Sequence, residues 1–222
     1  MSQPVLQQSR AEQLAALTPD ELAEVLNGLT AEQGEQLLYD WRGFNARPDQ
    51  IAPDGDWEIW LALAGRGWGK TETGAQWVRE RVEAGARSIA LVAETQKDLE
   101  EVMVARLLAI YPPDQAPKVR YKPVRITWPN GAVALGYNGT EPNQLRGPEF
   151  DTAWVDELAK YRYAQETWDM LQFALRGTAI EPRQIITTTP RPIELIKSIV
   201  AGKEGKVHIT RGKTADNRTN LA

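Results

Sequence analysis

The sequence predicts an α/β fold, with a mostly parallel central sheet flanked by helices and a helical segment in front of it. Three observations carry this. From Trp57 onward, apolar runs of strand length alternate with longer stretches of helical periodicity. The runs are apolar along their length rather than at every second residue, as strands buried on both faces of a parallel sheet are. A glycine-rich turn follows the first run directly and opens a helix, the usual join of a βαβ unit.

Composition sets the frame. The chain has 222 residues, enough for one domain with an appendage, and 42% hydrophobic and 25% charged residues suit a globular protein. No apolar run reaches the roughly eighteen residues that a membrane span needs, and the polar N-terminus has no secretory h-region. Cysteine is absent, which excludes disulfides and thiolate metal sites, and one histidine, His208, cannot build a zinc site. A net charge of −4 argues against broad, non-specific coating of nucleic acid but leaves room for a local basic strip.

The elements follow in order. Residues 1–45 form an N-terminal helical segment: Thr18-Pro19-Asp20-Glu21 and Thr30-Ala31-Glu32-Gln33 are capping boxes. Leu22, Val25, Leu26, Leu29, Leu37, Leu38 and Trp41 supply its apolar stripes. ARPDQIAPDGD marks the loop that opens the main domain, assigned to 46–210. WEIWLALA is the first strand, a helix runs from about Lys70 to Ala84, and SIALVA (88–93) is the second strand. TQKDLEEVMVARLLAIY is a helix, and RITWPNGAVALGY is a hairpin with a type I′ turn at Asn130-Gly131. DTAWVDE, RQIITTT and KVHIT complete the strands, with helices in ETWDMLQFALR and PIELIKSIVAG. The polar stretch 211–222 reads as a tail or linker.

Chemistry concentrates at two places. AGRGWGKT (64–71) joins strand to helix, and Gly65, Gly67 and Gly69 let the backbone aim N–H groups at phosphate oxygens beside the positive end of the helix. Lys70 would reach the β- and γ-phosphates, and the Thr71 hydroxyl would ligate Mg²⁺. Ala64 stands where the usual pattern has glycine, which is tolerable only if the backbone there avoids positive φ. TAWVDE places Asp156 and Glu157 at the carboxyl end of a core strand, the edge where α/β sheets bind ligands. Asp156 would hold magnesium through its water shell, and Glu157 would orient and deprotonate the attacking water. These residues define a Mg²⁺-dependent, ATP-hydrolysing P-loop domain.

In this order the motifs resemble the ATPase domain of the large terminase subunit of tailed bacteriophages. Arg66 inside the phosphate loop is similar to that family's variant Walker A motif, and RPDQ with Gln50 to its adenine-recognising glutamine motif. LRGPEFDTAWVDE resembles its arginine-glycine approach to Walker B, and TTTP (Thr187, Thr188, Thr189, Pro190) its coupling motif. The resemblance covers the chain from about Trp41. It implies a motor that translocates double-stranded DNA into a prohead in the host cytoplasm. The implied partners are the portal protein and the small terminase subunit, within a homo-oligomeric ring whose isolated domain can be monomeric. A helicase- or recombinase-like P-loop ATPase is the alternative reading; tandem helicase motifs are lacking. The resemblance further implies a following RNase-H-like nuclease. The chain ends at Ala222 before such metal-binding carboxylates, so no nuclease activity is expected of it, and RGKTADNRTNLA resembles the start of a linker.

Several residues carry two readings. Arg146, in the Gln144-Leu145-Arg146-Gly147 turn, is either a surface arginine or an arginine finger reaching a neighbour's γ-phosphate, with Arg66 its rival within the same subunit. Gln50 either reads adenine through its two-faced amide or faces solvent. The threonines of TTTP are good strand formers, and their place at a strand's carboxyl end lets one sense the γ-phosphate. Trp68 either wedges the loop or packs near the nucleotide, whereas Trp60, Trp77, Trp154 and Trp168 fall at core positions. Arg120, Lys122 and Arg125 are candidate DNA-phosphate contacts or an ordinary solvated strand edge.

Overall fold

The computed structural model describes residues 8–213. Three short helices come first: α1 (Arg10–Ala15), α2 (Pro19–Asn27) and α3 (Ala31–Tyr39). Each opens with a capping box, Ser9 with Glu12, Thr18 with Glu21 and Thr30 with Gln33, which satisfies orphan N–H groups locally. Local capping rather than burial defines α2 and α3. Neither contains a buried residue, and the stripe expected to pack is largely open, with Leu26 53% and Leu38 73% exposed. Of that stripe only Trp41 is buried, at the start of a π-type turn, Trp41–Asn45.

The eight strands are β1 (Ile59–Ala64), β2 (Ser88–Ala93), β3 (Lys118–Tyr121), β4 (Val124–Thr127), β5 (Val133–Asn138), β6 (Thr152–Asp156), β7 (Arg183–Thr188) and β8 (Val207–Gly212). They form one sheet in the order β3-β4-β5-β2-β6-β7-β1-β8. From β5 to β8 in that order every pairing is parallel, and β3 and β4 add an antiparallel edge. The strand β3, absent from the sequence reading, is mostly exposed and alternates too weakly to be seen from its pattern. It holds Arg120; Lys122 lies in the β3–β4 turn and Arg125 in β4, so the three basic residues sit together at the sheet's edge.

The β4–β5 connection differs from the type I′ turn expected. Thr127 pairs with Val133, the Gly131 N–H donates to the Trp128 carbonyl, and the Trp128 N–H to that of Ala132. Gly131 is left-handed (φ 86°), and Asn130 is not among the positive-φ residues. The loop is therefore Pro129-Asn130-Gly131, a turn closed by a left-handed glycine. Proline pre-sets the φ of its first corner, which favours this three-residue solution over two left-handed residues in succession.

The helices lie on both faces of the sheet. α4 (Lys70–Glu83) and the continuous run of α5 (Gln96–Asp98), a π-type segment (Leu99–Val104) and α6 (Ala105–Ala109) cover one face. There Trp60, Trp154 and Ile185 pack with Trp77, Leu99, Met103 and Leu107. α7 (Ala164–Ala174) and α8 (Glu194–Val200) cover the other, where Ile59, Leu61, Val155 and Ile186 meet Trp168, Leu171, Leu195 and Ile199. Successive strand residues alternate between these two cores, which is why the strands read as unbroken apolar runs. Gly74 brings α4 down onto the sheet: a Cβ there would fall 2.2 Å from the Trp154 ring. β8 continues to Gly212, paired with Ala64, so Arg211 and Gly212 belong to a strand; the tail from Thr214 lies outside the described residues. No helix among the described residues is long and apolar enough to cross a membrane.

Candidate active site

The six residues of β1 are all buried and deliver the chain to the carboxyl edge of the sheet, where residues 65–69 turn into α4. Gly67 (φ 76°) and Gly69 (φ 98°) are left-handed, a conformation that a side chain would strain. Ala64 is the last residue of β1, fully buried and free of positive φ. Its departure from the usual glycine therefore has no backbone cost. Lys70 opens α4, and its ammonium donates to the carbonyls of Ala64 and Gly65, both at 3.0 Å. Thr71 is half-buried beside it, and Arg66 is exposed at the loop's tip.

The sheet order β6-β7-β1 decides how the carboxylates reach this loop. Asp156 closes β6 beside Thr187 of β7, and Thr188 pairs in turn with Leu63 of β1. The threonine strand thus stands between the phosphate loop and the acids. The Thr187 hydroxyl donates to Asp156 Oδ1 (2.6 Å) and accepts from the Trp154 indole N–H (2.8 Å). Thr188 Oγ1 accepts from the Ala159 N–H (3.1 Å), while the Thr189 N–H and hydroxyl both donate to the Glu157 carboxylate (3.2 Å). Glu157 has φ 55°, the single positive-φ non-glycine residue among those described, and such strain is tolerated where surrounding contacts over-determine the backbone. Lys70 Nζ lies 3.6 Å and Lys160 Nζ 3.3 Å from its carboxylate. The sequence reading missed Lys160; its signal was a lysine three residues after Glu157, on the same turn.

The two acids differ in charge behaviour. Burial pushes the Asp156 carboxyl up to about 6, against a lowering hydrogen bond from Thr187, and the Glu157 charge adds to the rise. Burial also works against the charge of Glu157, but Lys70, the Thr189 N–H and Lys160 outweigh it and hold that carboxyl below its ordinary range. A raised acid favours folding fully below its unfolded pKa, and that contribution is lost as pH rises through the folded value. For Asp156 the loss falls between about pH 4 and 6 and amounts to roughly 2–3 kcal/mol. In metal-free buffer Asp156→Asn should therefore melt above the wild type at pH 7.5, with the gap closing as pH falls to 4.5. Thermal unfolding with a chelator reads this directly; an equal or lower melting temperature at pH 7.5 would refute it.

Around the loop, Trp68 is wholly buried, so its ring wedges the loop and is not open for stacking on a base. Its indole N–H donates to Asp49 Oδ2 (3.0 Å), the Arg47 guanidinium lies 5.4 Å from the ring centroid, and its carbonyl accepts from Arg47 (2.6 Å). Gln50 lies in a 3₁₀ turn, Pro48–Gln50, and is 5% exposed. Its amide N–H groups donate to the Trp68 carbonyl and the Thr73 hydroxyl (both 3.3 Å), and its oxygen accepts from the Arg47 N–H. It does not face solvent, and its amide is engaged within the protein. Beside it a cavity of about 410 Å³ is lined by Trp41, Gln50, Gly69 and Ile110 and by the charged Glu12, Arg47, Glu72 and Arg106, among others, and is roomy enough for a nucleoside. Arg146 is elsewhere: exposed after the 3₁₀ turn Pro142–Leu145, with its Nε donating to the Met170 thioether (3.3 Å).

The candidate metal ligands, the Thr71 hydroxyl and the Asp156 carboxylate, are oxygen donors, which would suit magnesium. Among the described residues no group of three or more His, Cys, Asp or Glu could hold an ion by itself. The residues present suit a magnesium completed by phosphate oxygens and water: the Thr71 hydroxyl would ligate it, and Asp156, one oxygen of which accepts from Thr187, would hold it through its water shell.

A mostly parallel sheet with a lysine-bearing glycine loop after β1 and a carboxylate pair at the end of β6 defines a P-loop nucleoside-triphosphatase fold. The chain belongs to the family described as terminase large subunit, T4likevirus-type, N-terminal, which matches residues 61–212. Solved structures agree on the fold. The large terminase of a thermophilic bacteriophage superposes with TM-score 0.58 at 14% identity, covering 83% of this chain and 46% of that one. The Thermus phage P74-26 large terminase ATPase domain gives 0.54 at 16%, covering 86% and 90%. The bacteriophage HK97 large terminase gives 0.55 at 14%, covering 93% and 44%. The chain thus spans about half the length of the full-length terminases it matches. No curated protein matches it.

Proposed function

We propose that this chain is the ATP-hydrolysing motor domain of a phage packaging terminase, acting on double-stranded DNA in the host cytoplasm. The observation that carries the reading is the convergence of Lys70 and Glu157 beside buried Asp156, three side chains from two separate elements meeting at one sheet edge. Complexes of the thermophilic-phage large terminase with ADP and with ATP-gamma-S support the choice of ligand. The Gly65–Gly69 N–H groups and Lys70 would hold the phosphates, with Lys70 exchanging its two carbonyl partners for phosphate oxygens. Magnesium, held by Thr71 and Asp156, would neutralise charge developing on the β- and γ-phosphates. Glu157, braced by Thr189, would fix the attacking water in line. Thr187 and Thr188 tie the same strand to Asp156 and to the turn after Glu157, so a change at the γ-phosphate has a direct route into the sheet. Arg146 would act on a neighbour's nucleotide within a homo-oligomeric ring, with Arg66 as the residue acting in its own subunit. The portal protein and small terminase subunit are the proposed partners. Gln50 would read adenine only after releasing its present bonds.

Magnesium-dependent ATP binding and turnover by the purified chain test this. Lys70→Ala should lower turnover by about 10²-fold or more and weaken binding of MgATP. Equal binding and turnover by the variant would remove the phosphate loop from the proposal.

A further inference from the structure

Besides the Gly65 N–H bond to the Gly212 carbonyl (3.2 Å), the phosphate loop is held from outside through Trp68. Trp68 stands between two left-handed glycines, Gly67 and Gly69, where the backbone is otherwise the most pliable. Its own side chain is wholly buried. Two segments grip it, the turn from Arg47 to Gln50 and the end of β8. Asp49 takes its indole N–H, Arg47 takes its carbonyl and covers its ring, and Gly212 of β8 leaves room for the ring, since a Cβ there would fall 2.1 Å from the indole nitrogen. Arg47 is itself buried, at 6% exposure, and its second arm donates to Glu12 Oε1 (3.2 Å), a carboxylate 5% exposed in α1. The other oxygen of Glu12 accepts the Ser9 N–H that starts α1 (2.9 Å). A line of charge-assisted bonds thus runs from the first described helix through Arg47 to the carbonyl of the residue before Gly69 and Lys70.

We propose that Glu12 and Arg47 are positioning residues of the nucleotide site, acting through Trp68 to hold the phosphate loop in its anion-binding shape. The physical case rests on desolvation. A buried guanidinium holds its geometry best where its charge is matched, and Glu12 (3.2 Å) shares that role with Asp49 (3.4 Å); without Glu12 the match is weakened, and with it the hold of Arg47 on the Trp68 carbonyl. A glycine-rich loop left with the neutral Gln50 bond to the Trp68 carbonyl and the Asp49 bond to its indole N–H is less ordered before the ligand arrives, which lowers affinity for the phosphates. On this account the helical segment before the P-loop domain is part of the nucleotide site, although no residue of α1 belongs to the phosphate loop.

The inference rests on the nucleotide-binding reading above, and the test separates the two. Calorimetry with MgATP and with magnesium inorganic tripolyphosphate is run on the wild-type chain and on Glu12→Gln, Arg47→Lys, Trp68→Phe and Lys70→Ala, with circular dichroism and melting curves as the check on folding. Glu12→Gln keeps size and removes one charge, so it keeps the test decisive if Arg47→Lys fails to fold. Both Glu12→Gln and Arg47→Lys should weaken MgATP and tripolyphosphate alike, by about tenfold, as loss of a charged hydrogen bond implies. In turnover KM should rise in step while kcat at saturating ATP stays within about twofold, because a bound nucleotide re-forms the loop. Loss of ATP affinity with tripolyphosphate unchanged would overturn the proposal, since the pair would then be reading the base. Unchanged affinity for both ligands, with Lys70→Ala crippled, would overturn it while leaving the ATPase reading intact. Failure of Lys70→Ala to weaken either ligand would bring down the ATPase reading first.

Discussion

Glu157→Gln is expected to lower ATP turnover by about 10²–10⁴-fold while leaving MgATP affinity close to that of the wild type. Glutamine keeps the length of the side chain and an oxygen that accepts from the Thr189 N–H and hydroxyl, so the brace seen on Glu157 survives. What is lost is the carboxylate that holds the attacking water and takes its proton. Lys70, the Thr189 N–H and Lys160 outweigh burial and keep Glu157 ionised, which makes it a weak proton acceptor and gives positioning of the water the larger share of its work. Its titration should accordingly leave no acid limb in the rate profile above about pH 5. Steady-state turnover alongside calorimetry measures both quantities; a Glu157→Gln chain that turns over at the wild-type rate would end its candidacy.

Arg146→Ala is expected to cost about 10³–10⁵-fold in the turnover of assembled rings, the range for an arginine that meets a transferring phosphoryl group. Within its own chain the guanidinium is exposed and touches the Met170 thioether, a weak acceptor that would release it readily. That exposure leaves the guanidinium able to reach a neighbouring copy, the role proposed for it, and mixing tests it. In rings of Arg146→Ala and Glu157→Gln subunits, some interfaces combine an intact Glu157 with an intact Arg146 from next door, and turnover should return. Mixing Arg66→Ala with Glu157→Gln gives no such return if Arg66 serves its own subunit, since no single subunit then holds both groups. A verified mixed ring of the first kind that stays inactive would remove Arg146 as a finger acting between subunits.

Much of this protein is legible in its residues because the signals are local. Capping boxes at Thr18 and Thr30 lie within four residues, and the helices start there. The run SIALVA is a strand over the same six residues, and glycine-lysine after a strand places the phosphate loop. The readings that failed or stayed open depend on partners distant in sequence. The apolar stripes of α2 and α3 are periodic, yet periodicity does not say whether another surface covers them, and here Leu38 stays open. The Asn130-Gly131 pair favours a two-residue turn until Pro129 and the register of Thr127 with Val133 impose a third loop residue.

The sequence by itself determined the chemistry on offer: a lysine and a hydroxyl on a glycine loop, two acids after a strand, threonines at the end of another, and no cysteine. Each is a matter of residue type and of spacing within a few positions. Only the tertiary structure decided which of these meet. The order β6-β7-β1 inserts the threonine strand between acid and loop, so Thr187 engages Asp156 and Thr189 engages Glu157, a division that three consecutive threonines cannot reveal. It also settled Trp68 as a buried wedge, because Arg47, Asp49 and Gly212 reach it from opposite ends of the chain. Strand order and burial are set by packing between segments far apart in sequence, and a local pattern carries no term for that energy.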